Sequence, residues 1–322
     1  MIRPGLIAPL SPLRKIMFFA LLALASLLLF MLLASLSATL IWGKNLTDLI
    51  FSVSNLDQPE AIGPLKYFQV INQIGLFILP PLLFAYLADT KPCSYLKMNI
   101  GAGILTLVLC VLILFSSFPF VQWMLEVNQM MKFPSWLHSL EVWMRESEAN
   151  AEKLTQAFLE TKTTGGIIIN IIMIAVLPAL GEELVFRGVL QRVFNEWFKN
   201  HHLAVITTAI IFSSLHLQFY GFLPRTALGI VFGYLFVVTG SIWVPVLVHF
   251  INNAMAVVVA VFFRTGIAET DYLEFGRVSG PWWVVASFVL VVLLFYSLTQ
   301  HLKLHPSRDV GKASDDKTQT ED

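Results

Sequence analysis

The chain reads as an all-α membrane protein, a polytopic bundle of about eight transmembrane helices. Two observations predict this. Of its 322 residues, 57% are hydrophobic and only 13% charged, against about 25% charged in a soluble domain. Lys and Arg are also absent from long stretches, at 16–43, 67–90, 98–131, 163–186 and 226–263. Each is long enough for the roughly 20 apolar helical residues that cross a hydrocarbon layer of about 30 Å.

The expected spans are 17–42, 67–88, 98–118, 166–187, 203–219, 222–239, 241–263 and 281–299. The first follows Arg14 and Lys15, as a signal peptide would, but its apolar core outruns the about 7–15 residues of a cleaved signal. A retained helix is expected. Eight spans place both termini on one side. With the termini inside, the inner segments carry more Lys and Arg in less chain, which predicts cytoplasmic termini by the positive-inside rule and an integral protein of the cell (inner) membrane. The organisation expected is N-terminal membrane helices over 1–118, a loop region over 119–165, a membrane core over 166–263, a last loop and helix over 264–299, and a polar, solvated tail over 300–322. Within 119–165, Trp136, Leu137, Leu140, Trp143 and Met144 recur at helical spacing on one face, which predicts an amphipathic helix at the membrane interface. A zero net charge gives no reason for a nucleic-acid partner. Cys93 and Cys110 make no disulfide framework.

Ionisable side chains at mid-bilayer cost at least ~2.5 kcal/mol each on insertion scales, so those in the second half of the chain stand out. Glu182 and Glu183 close an apolar run broken only by Asn170. Glu183 and Arg187 are four apart, with the acid on the N-terminal side, which predicts an ion pair on one helix face. Glu182 points about 100° away and is left to face something else. His216 lies within a second apolar run that starts at Leu203, four residues after Phe212. His249 and Asn253 share a face within a third, with Asn252 pointing elsewhere. Taken singly, each cluster reads as ordinary structure: charges at a helix end, one satisfied histidine, an interhelical hydrogen bond. Together they supply a carboxylate that can act as a general base toward water, a histidine to hold that water, and His and Asn donors suited to an oxyanion.

Glu182-Glu183-Leu184-Val185-Phe186-Arg187, then Phe212 to His216, then His249 to Asn253, resemble the EExxxR, FxxxH and HxxxN motifs of the CPBP family of intramembrane proteases. That family includes the type II CAAX prenyl endopeptidases and bacteriocin-processing or bacteriocin-immunity relatives. The resemblance covers roughly residues 166–263 and departs at no motif position. It implies an endopeptidase acting on a membrane-associated protein or peptide in the lipid bilayer. Glu182 would be the base, His216 would help to position water, and His249 and Asn253 would form the oxyanion hole. Glu183 and Arg187 would orient the helix end and set the charge of Glu182. Such proteins are described both as metalloproteases and as metal-free glutamate proteases. The His-Glu-x-x-His zinc signature is absent, and the metal-free form is the expectation. Were zinc used, Glu182, His216 and His249 would hold it, with a position left open for water. The alternatives are a non-proteolytic immunity or scaffold protein of the same fold, and a transporter relaying protons through its buried Glu and His. Transporters often show two related halves, whereas these clusters lie in one half only.

Overall fold

The computed structural model describes residues 5–43, 59–161, 163–264 and 280–305, and no strand occurs among them. We number the main helices α1 (Pro12–Trp42), α2 (Ala61–Ala88), α3 (Ile104–Gln129), α4 (His138–Leu159), α5 (Thr164–Phe198), α6 (His201–Ser214), α7 (Phe222–Thr239), α8 (Trp243–Arg264) and α9 (Pro281–Leu304). Seven helices among the described residues are long and apolar enough to cross a membrane; α4 and α6 are not among them. The polar tail beyond His305 and the loop 265–279 lie outside the described residues.

Two expected spans differ in detail. The third begins at Ile104 rather than 98 and continues through Pro119 to Gln129. The fifth, expected over 203–219, is a helix of only 14 residues that stops at Ser214. Fourteen residues rise about 21 Å, short of the hydrocarbon thickness. The apolar character of the sequence runs on past Ser214, but Leu217 takes a left-handed φ of 54° and the chain turns into Phe219–Gly221. His216 therefore sits in the turn beyond α6, not inside a helix.

Leucines spaced along α1, including Leu21, Leu28 and Leu32, are more than half exposed, as suits a helix facing lipid. The interior holds two apolar clusters. Phe84 of α2, Leu184, Phe186 and Val189 of α5 and Phe212 of α6 belong to one. Ile113 and Leu114 of α3, Phe232 and Leu235 of α7, Val248 of α8 and Leu298 of α9 belong to the other. α5 packs into the first of these clusters, and polar ties fix its ends. Lys15 of α1 pairs with Glu196 at 2.9 Å. Asn170 accepts from Lys66 of α2 at 2.7 Å and donates to the Phe158 carbonyl of α4 at 2.7 Å.

Two long side chains of α5 reach the α7 backbone. Arg187 Nη2 donates to the Gly229 carbonyl at 3.0 Å, and Gln191 Nε2, one turn further on, donates to Gly233 at 3.1 Å. Gly229 and Gly233 form a small-xxx-small pair. A Cβ at Gly229 would stand 3.1 Å from the Ala209 Cβ, and one at Gly233 would stand 2.9 Å from Val205 Cγ1. Two absent side chains thus let α6 and α5 both reach the α7 backbone.

Candidate active site

The glutamates lie on α5 where its winding changes. Ile171–Val176 and Leu184–Leu190 are π-helical, and Glu182 and Glu183 close the α-helical stretch between them. Such π-turns within α-helices recur at functional sites. Pro178 contributes a second irregularity. Having no N–H, it leaves the carbonyl four residues back without its helical donor. That carbonyl, Ile174, accepts Asn253 Nδ2 from α8 at 3.2 Å. A sequence-local defect in α5 is thereby converted into a tie to α8, the helix that bears His249.

The predicted Glu183–Arg187 pair is present at 2.9 Å, with both side chains at 1% exposure or less. Burying a guanidinium is costly unless it is paired and hydrogen-bonded. Arg187 has its carboxylate, the Gly229 carbonyl and two ring faces, with its Cζ 5.2 Å from the Phe212 centroid and 5.6 Å from that of Phe232. Phe212, which precedes His216 by one helical turn, is thus a packing surface for Arg187. It also meets Phe186 edge-on at 5.0 Å.

The same Glu183 oxygen lies 2.8 Å from His249 Nδ1. A carboxylate can only accept, so Nδ1 carries the proton. His249 Nε2 is left facing Glu182 Oε2 at 3.9 Å, too far for a hydrogen bond. Phe232 stacks on the His249 ring at 5.1 Å. His216 is oriented from the other side. Its Nδ1 is 2.8 Å from the Phe212 carbonyl, another group that only accepts. Nε2 of His216 therefore carries the lone pair that can accept from water or bind a ligand.

These groups line one cavity of about 460 Å³, together with Asn252 and Asn253. The structure brings together Glu182, His216, His249 and Asn253 in this cavity and places Glu183 and Arg187 directly beneath it. Asn252, set aside in the sequence as pointing elsewhere, also reaches the wall, where its Nδ2 donates to Asn253 Oδ1 at 3.2 Å. Among the described residues no three His, Cys, Asp or Glu side chains converge as a metal-ligand set. A larger apolar groove of about 650 Å³ lies between α3 and α9, lined by Pro119, Trp123, Val284 and Phe288, and contains none of these groups.

Sequence reasoning missed the rest of the wall. Glu148, Glu152 and Thr155 of α4 line the cavity, as does Arg225 of α7. Arg225 is anchored by Gln218, through Oε1 at 2.7 Å and the carbonyl at 3.2 Å. Glu148 accepts the Tyr220 N–H at 3.1 Å. Burial pushes the Glu148 carboxyl above the usual carboxylate range, and this hydrogen bond and the Arg225 charge work against that shift. The expected amphipathic helix over 119–165 is α4 with the short turn Ser135–Leu137 before it. Its Trp136 and Trp143 remain largely exposed while Met144 is buried. Glu148, Glu152 and Thr155 follow Met144 at helical spacing on the same face, so the face that is apolar early in the helix is polar where it meets the cavity.

Residues 164–255, which hold all three motifs, match the family described as type II CAAX prenyl endopeptidase Rce1-like. The resemblance carried by the motifs thus extends over a continuous domain. Among curated proteins, "Uncharacterized protein YpbD" of Bacillus subtilis (strain 168) is 34% identical over 90 residues, 27% of this chain and 43% of its own length. "Putative membrane peptidase YdiL" of the same organism is 30% identical over 114 residues, 35% of this chain and 43% of its own. The chain thus spans less than half the length of these curated relatives. No solved structure matches it.

Proposed function

We propose that this integral membrane protein, whose residues 164–255 match the Rce1-like family, is an intramembrane endopeptidase that activates water with Glu182 and needs no metal. The observation that carries the reading is the arrangement of Glu182, Glu183, Arg187 and His249. Two carboxylates and one guanidinium leave one negative charge buried. One further proton, on Glu182 or on His249, makes the group of four neutral. Neutrality matters here because an unbalanced charge in a low-dielectric interior is expensive. The form with Glu182 ionised and His249 doubly protonated holds both a base and a hydrogen-bond donor at the same cavity.

In this form a water can touch Glu182 Oε2 and donate to His216 Nε2. Glu182 takes a proton as the water oxygen attacks the scissile carbonyl carbon. The carbonyl electron pair moves onto oxygen, and this oxyanion accepts hydrogen bonds from His249 Nε2–H and from the second N–H of Asn253, whose first is held by Ile174. Glu182 then returns the proton to the leaving nitrogen as the C–N bond breaks. Glu183 does two things in this scheme. It neutralises Arg187, and it fixes the His249 ring so that Nε2 points at the cavity. The substrate would be a membrane-associated protein or peptide entering from the bilayer.

The test is cleavage by purified protein in detergent, using substrates found by comparing membrane-protein termini from cells with active and with Glu182→Gln protein. Glu182→Gln keeps size and hydrogen bonding but removes the base, and is expected to fold and lose nearly all turnover. Near-normal turnover would end the assignment. A chelator arm decides the metal question: activity lost to chelation and restored by zinc would move Glu182 and His216 from water activation to metal ligation.

A further inference from the structure

A second polar cavity lies at the opposite end of α6 and α7. It measures about 440 Å³ and is lined by Lys97, Gln191, Arg192, Asn195, His201 and Phe236, among others. The catalytic cavity extends along α7 from Arg225 to Phe232 and this one begins at Phe236, and the two share no lining residue. The two sites are therefore separate.

The charge in this cavity is one-sided. None of its lining residues is acidic. Lys97 and Arg192 form no ion pair among the described residues, and the acid on this stretch of α5, Glu196, is held by Lys15. Arg192 is nevertheless built into place. Its Cζ stands over the Tyr95 ring, 3.9 Å from the centroid, and its Nη1 donates to the Tyr95 carbonyl, which leaves Nε and Nη2 uncommitted among the described residues. Lys97 adopts a left-handed φ of 58°, and its carbonyl accepts the Ile242 N–H at 3.3 Å, so its backbone is fixed as well. Asn195 and His201 add further polar groups, while Phe236 and Val237 make one wall apolar.

The setting identifies the ligand class. Trp197 closes α5 and Trp243 opens α8; both rings are 40–50% exposed, and Trp243 Nε1 donates to the Met98 carbonyl at 2.8 Å. Partly exposed tryptophans with a satisfied N–H mark the level of the lipid headgroups. A cationic pocket between membrane helices at that level, with an apolar wall leading away from it, suits the phosphate and first acyl segment of an anionic lipid. We propose that Lys97, Arg192 and His201 hold the phosphate of an anionic phospholipid, whose chain lies along Phe236 and Val237. The inference does not depend on the protein being a protease.

The probes are dioctanoylphosphatidylglycerol, dioctanoylphosphatidylcholine and inorganic phosphate, each added to the full chain in neutral detergent. Retention is read by native mass spectrometry and protection by the thermal-unfolding midpoint. One phosphatidylglycerol is expected to be retained in preference to phosphatidylcholine, and phosphate alone should protect little. Lys97→Gln should weaken phosphatidylglycerol binding about fivefold, as expected for one lysine at a lipid surface. His201→Gln, outside the packed core, provides a second variant should Lys97→Gln fold poorly. Three results overturn the proposal: no preference for phosphatidylglycerol, including no binding at all; unchanged binding in both variants; or protection by inorganic phosphate equal to that by the lipid, which would make the ligand a soluble anion.

Discussion

Arg187→Ala tests how the buried charges support one another. The substitution removes a guanidinium with no exposure, its 2.9 Å pair with Glu183 and its 3.0 Å bond to Gly229, and it strips a cation from between Phe212 and Phe232. The carboxylate left behind stays buried, with His249 as its remaining partner. Breaking one side of a buried pair costs about 3–5 kcal/mol, most of it the uncompensated charge. Arg187→Ala is therefore expected to lower purified yield, unfolding midpoint and activity together. Arg187→Lys should fall between it and the parent, since it restores the charge but loses the planar fork that reaches Glu183 and Gly229 at once. The double variant Glu183→Gln/Arg187→Ala removes both charges, and its Gln oxygen can still accept from His249 Nδ1. It should unfold at a higher temperature than Arg187→Ala alone, which is a coupling that a double-mutant cycle measures. The assay is thermal unfolding in detergent at fixed protein and lipid content. A stable, active Arg187→Ala protein, or a double variant no better than the single, would refute the reasoning.

Three further outcomes follow from particular contacts. Asn253→Ala removes one proposed oxyanion donor and should reduce kcat by about 10²–10³, leaving cleavage measurable where Glu182→Gln leaves none; steady-state kinetics in detergent checks both. Gly181→Ala would bring a Cβ to 2.7 Å from the Phe77 Cβ, an atom fixed to backbone, so it should destabilise the contact between α2 and α5 by about 1–3 kcal/mol, read as a lower unfolding midpoint. A C-terminal reporter active only outside the cytoplasm should stay silent in cells, and activity there would reverse the proposed orientation of both termini.

The sequence by itself determined the membrane character, the approximate positions of the helices and the polar residues that converge on one cavity. Each was legible for a local reason. Hydrocarbon excludes Lys and Arg, so the spans appear as gaps in those residues. It also penalises Glu and His, so Glu182, His216 and His249 stand out from apolar runs. Glu183 and Arg187 are one turn apart, and helix geometry alone pairs them. A local signal for the α7 contact was also there in Gly229 and Gly233, read as part of an apolar run. The tertiary structure decided what depends on residues far apart in the chain. Glu183 and His249 are separated by 66 positions, and their hydrogen bond selects the ring nitrogen that faces Glu182. Arg225 and Glu148 line the same cavity, where the turn Phe219–Gly221 that leads into α7 is tied to α4 through Tyr220 and Glu148. α6 ends at Ser214 although its apolar run continues, because apolarity fixes where a chain can lie and not where its backbone must turn. Composition along the chain records the cost of each residue in lipid, whereas the direction of each polar atom is set by a partner that only folding supplies.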